Sequence, residues 1–266
     1  MEKVTILDFK KKKKSGEKIT MLTAYDCPMA RAVDSAGIDA VLVGDSVGMV
    51  VLGYDSTVPV TMDEMIHHCK AVRRGVERAF LIGDMPFSSY QASDEEAVRN
   101  ACRFVKEAGC EAVKLEGGRE VVSRVATIVN AGIPVLGHIG LTPQSVSKLG
   151  GYRVQGKDAA SRARLVKDAL FLEKAGCFAV ILECVPKDFA RRITSRLKIP
   201  TIGIGAGPYC DGQVLVTHDM IGYFDRFVPK FVKRYAQVNK DMSDAIRAFK
   251  AETESGSFPD DEHSFQ

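Results

Sequence analysis

Short apolar runs recur along the chain, and between them the spacing of apolar residues lengthens from one or two to three and four. The runs occupy residues 19–24, 40–43, 79–84, 112–116, 134–138, 179–183, 201–204 and 213–217, and most are closed by glycine, proline or a polar residue. Runs that are apolar on both faces are those of strands buried on both sides, as in a parallel sheet. The intervening segments carry helix signals. Residues 5–14 read as a short helix with Gly16 as its stop, and Pro28 suits the first turn of a second helix that ends near Gly37. Thr61 and Glu64 form a capping box ahead of a helix over 62–74. Further helices run from Ser93 to Ala108, from Gly118 to Gly132, over 158–175 and over 188–197. A longer loop, 46–60, carries Gly48, Gly53 and Pro59, as binding loops often do. From Pro229 the spacing of Phe231, Tyr235, Val238, Met242, Ala245 and Phe249 predicts a last amphipathic helix, its apolar face turned to the rest of the domain or to another subunit. The tail, 253–266, is polar.

Eight strands with helical segments between most of them, the connection 205–212 being too short for a full helix, define an α/β protein with right-handed crossovers, either closed as a barrel or open and doubly wound. The strand ends decide between them. Asp45, Asp84, Glu116 and Glu183 end or follow four of the runs, and His138 ends a fifth. An open sheet concentrates its site at one switch point, whereas a barrel gathers residues from many strand ends. The expectation is a (β/α)8 TIM barrel forming one domain over 1–266, with a short N-terminal helix and a C-terminal helix and tail. The length fits, since such barrels typically need about 250 residues.

Alternation along a strand puts Lys114 on the face of Glu116, and by the same rule pairs Val43 with Asp45, Ile82 with Asp84 and Ile181 with Glu183. Four carboxylates at one barrel mouth repel one another, and Lys114 compensates only one charge. A divalent cation supplies the rest, and an oxygen-rich donor set selects a hard ion such as Mg²⁺. Plainer roles stand beside this one. Strand-end acids can cap the following helices, Lys114 and Glu116 can be a buried ion pair, and His138 can be a core histidine. From the residues alone, the function that fits is a metal-assisted reaction of a small oxo-acid, in which one unliganded acid takes a proton from the carbon beside a polarised carbonyl.

Composition narrows the partners. A net charge of +3 gives no reason to expect nucleic acid or a membrane surface, and no stretch is long and apolar enough to span a bilayer. Met1-Glu2-Lys3-Val4 lacks the pattern of a secretory leader, and seven cysteines without a CxxC pair suit a reducing, cytoplasmic compartment. The lysine run 10–14, without interleaved aromatics, reads as a solvated helix end rather than a phosphate site. His67 and His68 are adjacent and point apart, so a shared metal is not expected. Gly203-Ile204-Gly205-Ala206-Gly207 is half of a dinucleotide fingerprint, but Pro208 follows it, so a turn is expected instead.

Several longer motifs add a resemblance. They are Thr23-Ala24-Tyr25-Asp26, Val43-Gly44-Asp45-Ser46, Val60-Thr61-Met62-Asp63-Glu64-Met65, Gly83-Asp84-Met85-Pro86-Phe87 and Val113-Lys114-Leu115-Glu116-Gly117-Gly118. Further along stand Gly137-His138-Ile139-Gly140-Leu141-Thr142-Pro143-Gln144, Glu183-Cys184-Val185-Pro186, Cys210-Asp211-Gly212-Gln213 and Glu262-His263-Ser264-Phe265. In these the chain resembles the ketopantoate hydroxymethyltransferase family from about Lys10 to its end. The resemblance implies a barrel of the phosphoenolpyruvate/pyruvate superfamily, assembled as a homodecamer. It implies Mg²⁺ held by Asp45, Asp84 and, directly or through water, Glu116. It implies α-ketoisovalerate (3-methyl-2-oxobutanoate) as substrate, in contact with Asp45, Asp84, Ser46, Lys114 and His138. Glu183 would take the C3 proton, and a Mg-stabilised enolate would attack the one-carbon unit of 5,10-methylenetetrahydrofolate to give ketopantoate for pantothenate synthesis. Two other readings compete: a folate-independent aldolase or lyase of the same superfamily, and a binding module without catalysis.

Overall fold

The computed structural model describes residues 2–151 and 153–266, which divide into two compact units, 1–216 and 217–266. The first unit is a closed barrel of eight parallel strands in sequence order. They are β1 (Ile19–Thr23), β2 (Ala40–Val43), β3 (Phe80–Asp84), β4 (Ala112–Glu116), β5 (Val135–Gly140), β6 (Ala179–Glu183), β7 (Thr201–Ile204) and β8 (Gly212–Leu215), with β8 pairing back to β1. The helices of this unit are α1 (Ile6–Ser15), α2 (Cys27–Ser35), a single turn α3 (Val47–Val50), α4 (Met62–Arg73), α5 (Asp94–Ala108), α6 (Val122–Asn130), a second single turn α7 (Val146–Leu149), α8 (Ala159–Ala175) and α9 (Lys187–Thr194). The loop after β2 thus contains a helical turn, and β7 joins β8 with no helix between, as the seven intervening residues require.

Alternate strand residues separate two cores. Val41, Leu81, Val113, Leu115, Val135, Val180 and Leu182 face the helices, while Ala40, Leu42, Phe80, Ile82, Ala112, Leu136, Ala179, Ile181 and Ile202 fill the barrel. Gly83 lies on the outer face because α5 comes so close that a Cβ there would sit 2.3 Å from the Phe104 ring. The period-two rule therefore holds within each strand. It fails for Val43 and Asp45: Val43 faces the helices, and β2 ends there, so the turn into α3 breaks the alternation before Asp45.

The N-terminal helix closes the end of the barrel opposite the strand-end acids. Phe9, 1% exposed, meets Phe80 and Phe178 edge-on at centroid distances of 5.6 and 5.3 Å. The lysine run explains itself here, and not as a merely solvated helix end. Lys12 lies 2.6 Å from Asp39, which also accepts from the Thr20 backbone N–H, and Lys13 lies 2.8 Å from Asp211, which accepts from the Thr201 N–H. Each acid stands just before a strand and grips the backbone of the strand before it, so two lysines tie α1 to the β1–β2 and β7–β8 seams. Asp34 works similarly ahead of β3, accepting from the backbone N–H groups of Glu77, Arg78 and Ala79.

The second unit holds the single turn α10 (Thr217–Met220) and the long helix α11 (Val238–Ser255). The helix begins nine residues later than the expected Pro229. The Tyr235 and Val238 N–H groups donate to Met220 and Ile221 carbonyls, which takes them out of a helical ladder, so Phe231 and Tyr235 do not belong to its apolar face. None of its residues is buried, Met242, Ile246 and Phe249 included. Among the described residues no helix is long and apolar enough to cross a membrane.

Candidate active site

The carboxyl ends of β2 to β6 bring six of the seven expected site residues into one run of polar contacts, and a hydroxyl pair adds the seventh. Register is the reason. Asp84 of β3 is the direct partner of Lys114 on β4, and Glu116 of β4 is the direct partner of His138 on β5. Lys114 Nζ donates to both carboxylate oxygens of Asp84 at 2.8 and 2.7 Å and stands 3.7 Å from Glu116. Lys114 is thus paired first with its cross-strand neighbour, and only loosely with the residue sharing its own strand face. Asp84 also accepts the Asp45 backbone N–H at 3.1 Å, which draws the start of the β2 loop over the barrel.

His138 lies between two acids. Nδ1 is 3.2 Å from Glu116 Oε1 and Nε2 is 3.1 Å from Glu183 Oε2. These are ion-pair distances without good hydrogen-bond alignment, and both ring nitrogens and Glu116 Oε1 are left without an aligned partner. Burial and the Lys114 charge push His138 down, but the two carboxylates outweigh them and hold it at about 9. Glu183 differs from the other acids by being partly open, its side chain 15% exposed against 1–2% for Asp84 and Glu116. Its backbone is clamped: a Cβ on Gly140, at φ 100°, would lie 2.2 Å from the Glu183 carbonyl, and the Leu141 N–H donates to that carbonyl. Cys184 follows at φ 49°, a left-handed conformation uncommon for a residue with a side chain.

Ser46 stands slightly apart, its hydroxyl 2.7 Å from that of the buried Tyr25. Three further residues escaped the strand-end reading. Tyr25 stands two residues past β1, where a search for hydroxyls as well as acids finds it. Tyr90 lies in a loop and Gln144 in a single 3₁₀ turn (Pro143–Ser145), where periodicity carries no signal. The Tyr90 hydroxyl is 2.7 Å from Gln144 Oε1, and Gln144 Nε2 donates to Asp45 Oδ2 at 2.9 Å.

The electrostatics fit a cation. Burial, then the neighbouring Asp84 charge, lift the Asp45 carboxyl well above the usual carboxylate range. Burial also lifts Asp84, although Lys114 pulls the other way. Glu116 is equally buried, but Lys114 and His138 hold it below its ordinary value. Lys114 is desolvated too, yet Asp84, Glu116 and Asp45 keep it firmly protonated. Among the described residues Asp45 is the site carboxylate without an ion-pair partner, and Glu116 Oε1 is a buried acceptor with no aligned donor. Among the described residues no three acid, histidine or cysteine side chains converge as a closed metal shell. A hard ion that takes one or two carboxylates and completes its sphere with water or substrate oxygens suits this arrangement; Mg²⁺ behaves so.

In architecture the chain is a TIM barrel, a closed ring of eight parallel strands with helices between most of them. A solved phosphonopyruvate hydrolase superposes with a TM-score of 0.65 at 13% identity, over 100% of this chain and 92% of that one. A solved 2,3-dimethylmalate lyase, itself a member of the PEP mutase/isocitrate lyase superfamily, superposes with a TM-score of 0.61 at 16% identity, over 97% of this chain and 91% of the other. Sequence narrows the class to one family. The chain belongs to the ketopantoate hydroxymethyltransferase family, whose profile matches residues 3–261. It is 58% identical over 264 residues to the 3-methyl-2-oxobutanoate hydroxymethyltransferase of Thermoanaerobacter sp. (strain X514), covering 99% of this chain and 96% of the relative. It is 59% identical to the enzyme of that name from Moorella thermoacetica, covering 99% and 98%.

Proposed function

We propose that the protein transfers a hydroxymethyl group from 5,10-methylenetetrahydrofolate to 3-methyl-2-oxobutanoate, giving ketopantoate for pantothenate synthesis. The observation that carries the reading is the division of labour among the acids. Asp45 and Asp84 lie deep and side by side, while Glu183 alone is partly open. Asp45 and Asp84, with Glu116 directly or through water, would hold Mg²⁺, which supplies Lewis-acid polarisation of a keto group when bound. Glu183 takes the C3 proton, with His138 against its carboxylate fixing its direction. Lys114, held on Asp84, stabilises negative charge that develops on the oxo-acid, and Ser46, oriented by Tyr25, contacts the substrate. The enolate carbon then forms a C–C bond to the one-carbon unit of the folate, both C–N bonds to that carbon break, water supplies the hydroxyl oxygen, and tetrahydrofolate leaves with one proton from the substrate C3 and one from water. The reading takes in the homodecameric assembly of the family resemblance, which light scattering tests, and the cytoplasmic location expected from the cysteines.

The direct test is a product assay with 3-methyl-2-oxobutanoate and Mg²⁺, with and without methylenetetrahydrofolate. Ketopantoate formed only with the folate donor is the expected result. Turnover of the oxo-acid without any folate would instead make the protein a lyase or aldolase.

A further inference from the structure

Gln144 stands four residues beyond the end of β5, in a 3₁₀ turn (Pro143–Ser145), yet it is 4% exposed and both ends of its side-chain amide and its backbone N–H are engaged. Its Nε2 donates to Asp45 Oδ2 at 2.9 Å and to the Met85 carbonyl at 3.0 Å, and its backbone N–H donates to Glu116 Oε2 at 3.0 Å. Two acceptors at one end of the amide require the NH₂ group there, so the carbonyl end must face Tyr90. The Tyr90 hydroxyl lies 2.7 Å from Gln144 Oε1 and 3.1 Å from both the Glu116 N–H and carbonyl. A hydroxyl has one proton, and the shorter contact takes it, so Tyr90 donates to Gln144 and accepts from Glu116. One side chain thereby joins the loops after β2, β3 and β5 to the end of β4, and both of its hydrogens and its carbonyl are used.

The consequence falls on Asp45. Lys114 clasps Asp84 and His138 stands on Glu116, but the side-chain donor that reaches Asp45 is the Gln144 amide. Asp45 follows a strand that has already ended, so the sheet does not set its direction. A neutral donor can hold a carboxylate without neutralising it, which leaves its charge for a cation. We infer that Gln144 is a positioning residue for metal binding: its amide, itself fixed by Tyr90, turns the Asp45 carboxylate into the barrel mouth and ties that orientation to Glu116. The inference rests on the metal role of Asp45 proposed above. Partners one step removed from a metal ligand typically change metal affinity or activity by about 10- to 100-fold.

The test is a titration with Mn²⁺ alone, read by the loss of its free electron paramagnetic resonance signal, with no substrate present. It compares the wild type with Gln144→Met, which keeps the length but removes both hydrogen-bonding ends, and Gln144→Asn, whose amide is too short to span Tyr90 and Asp45. Both variants are expected to melt as cooperatively as the wild type, to bind Mn²⁺ about 10- to 100-fold more weakly, and to regain most of their kcat at saturating metal. Tyr90→Phe removes one tether and should lie between them and the wild type. Wild-type Mn²⁺ affinity in either folded Gln144 variant would overturn the inference. Loss of the fold in both would make Gln144 part of the scaffold and overturn it equally. A wild type that binds no Mn²⁺ would instead remove the metal role itself, a different failure from the first two.

Discussion

Lys114 Nζ lies 2.7 Å from one carboxylate oxygen of Asp84 and 2.8 Å from the other, in a barrel interior where both residues are at most 5% exposed. The pair comes directly from the parallel register of β3 and β4. Removing one partner of a buried pair leaves the other charge uncompensated, at a cost of about 3–5 kcal/mol. Lys114→Met should therefore lower stability by roughly that amount in denaturant titration, lower kcat and raise the oxo-acid KM together. A variant as stable as the wild type would show that the pair contributes nothing to the fold.

Metal should stabilise this protein through the same acids. A ligand that binds only the folded state at about 100 times its Kd adds about 2.7 kcal/mol. Mg²⁺ is thus expected to raise the melting temperature of the wild type and to leave Asp84→Asn almost unmoved, while chelation should abolish turnover in the wild type. Full activity after exhaustive chelation would remove the metal from the mechanism.

Asp34 gives a pH dependence away from the site. Burial raises its carboxyl, but the N–H groups of Ala79, Arg78 and Glu77 together overcome that and leave it below its ordinary value. A carboxyl lowered on folding stabilises the fold fully above its unfolded pKa of about 3.9, and that contribution is lost as pH falls through the folded value. The melting temperature of Asp34→Asn should hence be lower than that of the wild type near neutrality, with the gap narrowing in acid below about pH 4. A gap that is constant with pH would contradict this assignment.

Phe9 predicts a different kind of loss. Truncating a buried phenylalanine typically costs about 3–5 kcal/mol, and here it also opens the floor of the barrel against Phe80 and Phe178. Phe9→Ala should melt well below the wild type and yet keep its KM for the oxo-acid, since the strand-end acids lie at the other end. An altered KM with unchanged stability would mean that the two ends are coupled.

The barrel was legible because its strands are short and mostly apolar on both faces and five of them lead into an acid or a histidine. The alternation rule found the inner faces of β3, β4 and β6, and it failed at Asp45 because β2 stops two residues earlier. It also paired Lys114 with Glu116, since a rule for one strand has no view of the neighbour, and Asp84 came nearer through the β3–β4 register. Gln144 and Tyr90 left no periodic trace because neither a three-residue 3₁₀ turn nor a loop carries one. Helix α11 begins late for a reason invisible to spacing: the backbone at Tyr235 and Val238 bonds to Met220 and Ile221 instead of to its own preceding turn.

Removal of the C3 proton of the oxo-acid by Glu183 can be measured before any folate is added. With Mg²⁺ and 3-methyl-2-oxobutanoate in deuterated water, the wild type should wash out the C3 hydrogen, followed by proton NMR over time. Glu183→Gln keeps the shape and the contact distance to His138 but cannot accept the proton, so it should bind Mg²⁺ and substrate nearly normally and lose the exchange. Removal of a positioned general base typically costs about 10²- to 10⁴-fold in rate, well within the range of the measurement. Exchange in Glu183→Gln at the wild-type rate would contradict the assignment and make His138, 3.1 Å away, the group to examine next.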